Sequence, residues 1–216
     1  MTSEESRRID RIINDLVTSI NADVSPIIQP TKSEGGYFGV PRMVLCYIDF
    51  LGLLLSGWSG RKNKKTGNKE DFATSKKAKT YIKKVLSQVD ELYGENGDLF
   101  YDMYRHGTVH IYSPKKMASR TEQNKTIEWL IYKGDREQWD YYENRSVKFR
   151  HLKIIEWEKD RFMLPISIFV LYKDLLVSID LYRKMIYEDK SGELSKNILT
   201  VADGLDQHFD TTPHKF

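Results

Sequence analysis

From Met43 to Leu55 the chain is apolar at every position except Asp49 and Gly52. Pro41 stands just ahead of this run, where a proline suits the first turn of a helix. A helix reaching about Ser56 with apolar residues on nearly every side has no natural solvent face, so it belongs at the centre of a helical bundle. The run carries Asp49 and is too short to cross a bilayer, which argues against a membrane span. Gly52 marks a position where another helix can cross closely. Cys46, the one cysteine of the chain, reads as an inert small hydrophobe in this helix. A lone cysteine excludes a disulfide framework and a multi-cysteine zinc site.

The surrounding segments supply the rest of a bundle. Ile9, Ile12, Ile13, Leu16, Val17 and Ile20 form one stripe of an amphipathic helix over 4–21, with Ser3 as its N-cap. Pro26, Pro30, the Gly35-Gly36 pair and Pro41 make 21–41 a loop. A third helix, capped by Asp71 or Thr74, turns Tyr81, Ile82, Val85, Leu86, Val89 and Leu92 inward and stops at Gly94. Asp98 opens a further helix that runs into Arg105 and His110. The period then changes: Thr126–Lys133 and Ser146–Trp157 alternate, predicting two or three antiparallel strands. Pro165 begins a long helix to Ile186, and a weaker one covers 193–207.

The expected fold is therefore mainly α: one domain over 1–216, a helical bundle with a small inserted antiparallel β-hairpin or meander at about 108–157. The tryptophans Trp129, Trp139 and Trp157, with Tyr132, Tyr141 and Tyr142, read as sheet and core packing. His151 reads as a surface or cross-strand residue. The opening Met1-Thr2-Ser3-Glu4-Glu5 is acidic where a secretion signal needs a basic start, so a soluble, cytoplasmic protein is expected.

The net charge of +3 over 216 residues hides a polarity. Between Arg61 and Lys84, ten basic residues face only Glu70 and Asp71, giving +8 locally and −5 for the remainder. Half of this block lies in a basic loop at about 57–70. Arg61, Lys62, Lys64, Lys65, Lys69, Lys76 and Lys77 are its candidate contacts to a phosphate backbone. Acidic residues gather elsewhere, at Asp90, Glu91, Glu95, Asp98 and Asp102 and again between Glu188 and Asp210.

The densest polar cluster on an otherwise apolar helix is Arg105-His106-Gly107-Thr108-Val109-His110-Ile111-Tyr112. A histidine titrating near neutrality can move a proton to or from a ribose hydroxyl. An arginine fork matches phosphate oxygens and keeps its charge. The arrangement Arg-x4-His-x-Tyr, with a polar residue directly after the arginine, resembles the HEPN superfamily of helical nucleotide-binding and ribonuclease proteins. The resemblance implies a bundle in which two motifs meet across a homodimer and cut RNA without a metal or other cofactor. By that resemblance His110 is the acid or base, Arg105 stabilises the pentacovalent phosphate, and His106 orients or assists. It also implies RNA as substrate, an antitoxin protein as a possible partner, and Tyr112 as a possible site of regulatory nucleotidylation. A second Arg/His pair of suitable spacing, Arg145 and His151, falls in a predicted strand.

Other readings of these residues stand beside that one. Arg105 can pair with Asp98 or Asp102, and His110 can be a hydrogen-bonded core histidine. Gly107 can end the helix and make 108–112 a strand. Asp98, Asp102, His106 and His110 recur every four residues, a spacing compatible with a bound metal ion. A non-catalytic helical module that binds nucleic acid or a partner protein would account for the same features. No phosphate-binding glycine loop or dinucleotide fingerprint occurs, and Gly35–Gly39 follows no strand.

Overall fold

The computed structural model describes residues 1–28, 36–57, 61–62, 69–70, 74–110, 113–118, 125–142 and 145–206. Within these it does not define the side chains of 61–62, 69–70, 106–110, 140–142, 145 and 206. The described residues are mainly α: six helices frame a small mixed sheet and a separate hairpin.

Helix α1 spans Ser3–Ile28 and buries Ile9, Ile13, Leu16, Ile20, Val24 and Ile28, one every third or fourth residue. Burying each such side chain is worth roughly 1.5–3 kcal/mol, which is why the helix outlasts the expected stop at Asn21. Pro26 lies inside it, within its last turn. Thr2, not Ser3, closes its start: the Glu5 amide donates to Thr2 Oγ1 at 3.1 Å, and the Thr2 amide donates back to the Glu5 carboxylate at 2.6 Å. This reciprocal pairing is a capping box.

Helix α2 spans Gly39–Ser56 and touches α1 and four helices defined below: α3 (Thr74–Lys84), α4 (Glu91–His110), α5 (Ile168–Glu188) and α6 (Glu193–Asp206). Its central position follows from its lack of a polar face. By length and composition it could cross a membrane, the one described helix that could, but over half of it is buried inside the protein. Cys46 departs from expectation in being exposed. Gly52 is the crossing point with α3: a Cβ there would sit 2.5 Å from the Ala78 amide nitrogen and the Lys77 carbonyl carbon.

Gly94 does not end α3. The helix stops at Lys84, a short 3-10 turn follows at Leu86–Gln88, and α4 begins at Glu91 with Gly94 in its first turns. Asp90 sets this start, because its Oδ1 accepts the Leu92 amide at 3.0 Å. Asp98 is thus mid-helix. α4 continues unbroken past Gly107 to His110, so 108–110 is not strand.

The β region is mixed, which corrects the expected antiparallel meander. Two residues each of β1 (Arg61–Lys62) and β2 (Lys69–Glu70) pair antiparallel. The main sheet has β3 (Met117–Ala118), β4 (Thr126–Tyr132), β8 (Arg161–Ser167) and β7 (Ile155–Glu158) in that spatial order. β4 and β8 run parallel, with Leu130 opposite Pro165. Between them the chain makes the antiparallel hairpin of β5 (Glu137–Tyr142) and β6 (Arg145–Arg150). Sheet and hairpin together run from 117 to 167, later than the expected 108–157.

Pro165 belongs to β8 rather than to the helix after it. Pairing with β7 reaches only Met163, so the proline's missing N–H faces no strand partner. Ser167 then caps α5, its Oγ accepting the Val170 amide at 3.3 Å. One face of the sheet joins the main core through Leu164 and Ile166. On the other face, Leu130, Tyr132 and Met163 pack with Phe149 of the hairpin and Trp157 in a smaller core.

Candidate functional site

α4 lies between α2 and α3 on one side and the sheet on the other. On the sheet side Tyr104 donates to the carbonyls of Leu130 and Leu164. The opposite side carries Asp98, Tyr101, Asp102 and Arg105, three or four residues apart and so on one face. α3 meets this face with lysines: Lys83 bonds Asp98 and Lys79 bonds Asp102, each at 2.6 Å. Part of the basic block is therefore neutralised by the acidic cluster. Lys77 donates to the Gly57 carbonyl at 2.6 Å, and Lys76 is exposed.

With both nearby acids engaged by lysines, Arg105 pairs elsewhere. Its Nε donates to Asp49 Oδ2 at 2.6 Å, and the Tyr101 hydroxyl donates to Asp49 Oδ1 at 2.6 Å. Asp49 is the charge that interrupts the apolar run of α2. Buried there, a carboxylate requires partners, and these two supply them. Burial disfavours the charge of Arg105, but the hydrogen bond and charge of Asp49 outweigh it, and its pKa lies above the usual guanidinium value. The Tyr101 hydroxyl is pushed upward, first by burial and then by its bond to Asp49. The Arg105 side chain remains 24% exposed, against 10% for Asp49. The pair thus sits at the rim of the core with the arginine on the water side. Fixing a guanidinium through Nε orients its Nη donors, the pair that suits a phosphate.

His106 and His110 stand on the same unbroken helix, but their side chains lie outside the described residues, as does Tyr112 entirely. Five residues of α-helix separate positions 105 and 110 by roughly 7.5 Å along the axis and about 140° around it. Arg61, Lys62 and Lys69 fall in the two-residue strands, with side chains not described; Lys64 and Lys65 lie outside the described residues. Among the described residues no group of three or more His, Cys, Asp or Glu is placed to hold a metal ion.

A second cluster escaped the sequence. Arg136, just before β5, bridges Asp90 and Asp174 at 2.5 Å each. Tyr93 donates to Asp174 Oδ2 at 3.1 Å and lies 3.0 Å from His151 Nε2. The Ser167 amide donates to His151 Nδ1 at 3.0 Å. Since Nδ1 accepts, the neutral ring carries its proton on Nε2 and hands it toward Tyr93. His151 is fully buried, not on a strand surface, and its pKa falls to about 3, from burial first and the Arg136 charge second. Burial raises the Asp174 pKa, against Arg136 and Tyr93. With no exposed surface and both ring nitrogens paired inside the protein, His151 ties the sheet to the bundle.

A mainly α bundle carrying an oriented, partly exposed arginine on a helix with two further histidines is the class of site the fold defines. The chain matches no protein-family model, no curated protein and no solved structure.

Proposed function

We propose that the chain is a metal-independent endoribonuclease of HEPN type, acting in the cytoplasm as a toxin or defence effector. The observation that carries this is Arg105, singled out by the Arg-x4-His-x-Tyr arrangement and held by Asp49 with its side chain still reaching solvent. In the proposed reaction His110 takes the proton of a ribose 2′-hydroxyl, whose oxygen attacks the adjacent phosphorus. The phosphorus–5′-oxygen bond breaks, and the departing oxygen takes a proton from a second acid. The products are a 2′,3′-cyclic phosphate and a 5′-hydroxyl, with no water or redox partner consumed. Arg105 balances the negative charge that builds on the equatorial phosphate oxygens. The wide angle between positions 105 and 110 on one helix favours completion of the site by a second copy, so a homodimer is part of the proposal. His106 assists, the block around Lys62, Lys64, Lys65, Lys76 and Lys77 holds the RNA backbone, and Tyr112 is where an antitoxin enzyme would attach a nucleotide.

A second reading is favoured by the same Asp49–Arg105 pair, since a salt bridge to a buried carboxylate also explains the arginine structurally. On that reading the chain is a non-catalytic helical module that binds nucleic acid or a partner protein. Purified protein, labelled RNA and EDTA separate the two. EDTA-resistant cleavage lost in both Arg105→Ala and His110→Ala, with helical circular dichroism retained, is the expected result. Cleavage indifferent to both substitutions overturns the assignment. Cleavage abolished by EDTA moves the chemistry to a metal.

A further inference from the structure

The outer face of the β5–β6 hairpin has no role in the core or at Arg105. Its inner face is committed: Phe149 is fully buried, with Val147 beside it, against the small core under the sheet. Strand side chains alternate, so the register pairs Glu137–Arg150 and Trp139–Lys148 project the other way. Trp139 is 69% exposed, the most exposed large hydrophobic residue among those described. The sequence had placed it in packing. Its indole instead lies open to water with Lys148 directly across the ladder.

The charges around it are unequal. Lys148 bonds Glu137 at 2.7 Å, and Arg150 approaches the same carboxylate at 3.8 Å. The Lys148 hydrogen bond chiefly holds the Glu137 carboxyl below the usual range, and Lys153, exposed in the turn after β6 where its amide donates to the Arg150 carbonyl at 3.1 Å, adds a smaller pull. Arg150 also reaches Asp90 at 3.7 Å, which leaves Lys148 and Lys153 as two cations to the one Glu137 carboxylate beside an open aromatic face. An unpaired nucleic-acid strand has both complementary parts: bases whose faces can stack, and phosphates spaced along a backbone. In a duplex the base faces are already stacked on one another and closed to a side chain on a strand surface.

We propose that this hairpin face binds a single-stranded stretch of RNA, one base stacked on Trp139 and the neighbouring phosphates held by Lys148 and Lys153. The choice of RNA rests on the ribonuclease reading and deepens it by naming unpaired RNA as the substrate class.

The test uses the full chain carrying His110→Ala, which leaves the Asp49–Arg105 pair in place, and a fluorescein-labelled uridine oligonucleotide at low salt. Anisotropy should show Trp139→Ala weakening binding about 5- to 100-fold, with Trp139→Phe weakening it less. Lys148→Gln combined with Lys153→Gln should lower the slope of log affinity on log salt by about 1.4. Unchanged affinity in Trp139→Ala overturns the proposal, as does tighter binding of a duplex of equal length. A Trp139→Ala chain that keeps its RNA affinity but changes its mass by light scattering makes the face a protein contact, which also overturns it. The two ideas fail separately. Trp139-dependent binding by a parent chain that never cuts RNA sinks only the ribonuclease. Arg105-dependent cutting with Trp139-independent binding sinks only the hairpin site.

Discussion

Asp49 and Asp174 head two clusters made of the same parts. Each is a buried aspartate on a core helix that accepts one tyrosine hydroxyl and one arginine N–H. Around Asp174 the partners interlock, although the Arg136 side chain is itself 36% exposed. Arg136 uses a second nitrogen on Asp90, Tyr93 is met by His151, and His151 is met by a backbone amide. Around Asp49 the arginine engages through Nε rather than through its Nη atoms. The same Asp–Arg–Tyr unit is thus a closed clamp where both Nη nitrogens of its arginine bridge aspartates. Where the arginine is held through Nε instead, the unit is open: its Nη pair is not spent on Asp49.

On that contrast the closed cluster dominates stability. Arg136→Ala leaves Asp174, only 4% exposed, without a counter-ion, and Asp90, 5% exposed, with Arg150 alone at 3.7 Å. It should cost about 3–5 kcal/mol in urea unfolding; a loss below about 1 kcal/mol would show that the cluster is not closed.

The next effect is one of pH. His151 is neutral in the fold with a pKa of about 3, while an unfolded histidine titrates near 6.5. As pH falls below about 6.5 the unfolded chain gains a proton that the folded chain refuses, so stability drops toward the folded pKa. Between pH 6.5 and 5 the drop from this residue alone should be about 1.5 kcal/mol. Unfolding free energies of the parent and His151→Gln at both pH values measure it, the variant losing that part of the slope.

The open cluster should respond less. Arg105→Ala leaves Asp49 with its Tyr101 bond and with water in reach, for a loss of about 1–2 kcal/mol. A loss exceeding that of Arg136→Ala would reverse the contrast. Asp49→Asn should keep the fold yet release the guanidinium; under the proposed ribonuclease function it lowers the turnover number for RNA roughly 10- to 100-fold with little change in KM. Smallest of all, Trp139→Ala should shift stability by no more than about 0.5 kcal/mol, because the side chain packs against so little.

Periodic features were legible from the chain alone. The stripe of α1, the all-round apolar character of α2 and the alternation of β4 each repeat a local rule over several residues, so the elements follow. Their ends were less so. Asn21 and Gly94 looked like stops, but apolar burial carried α1 on to Ile28, and the Asp90 cap moved the break ahead of Gly94. Pro165 looked like a helix start and is instead tolerated in β8, where β7 has already ended on one side and only β4 pairs with it on the other. At the candidate site, Arg105 stood out by motif. Asp49 left a signal too, since one charge inside an apolar helix demands a partner, although its identity was hidden.

The sequence by itself determined that the fold is mainly helical, that α2 is central, that Gly52 is a crossing, and that basic and acidic residues are segregated. These depend on period, size and composition, which neighbouring residues carry among themselves. Tertiary structure decided that Arg105 meets Asp49 rather than Asp98 or Asp102, that β4 runs parallel to β8, that His151 is buried and neutral, and that Trp139 faces water. Arg105 and Asp49 are 56 positions apart, and Arg136 and Asp174 are 38 apart. Which helix face meets which is settled only when the whole core packs, because a buried charge takes whatever partner that packing brings within hydrogen-bond reach.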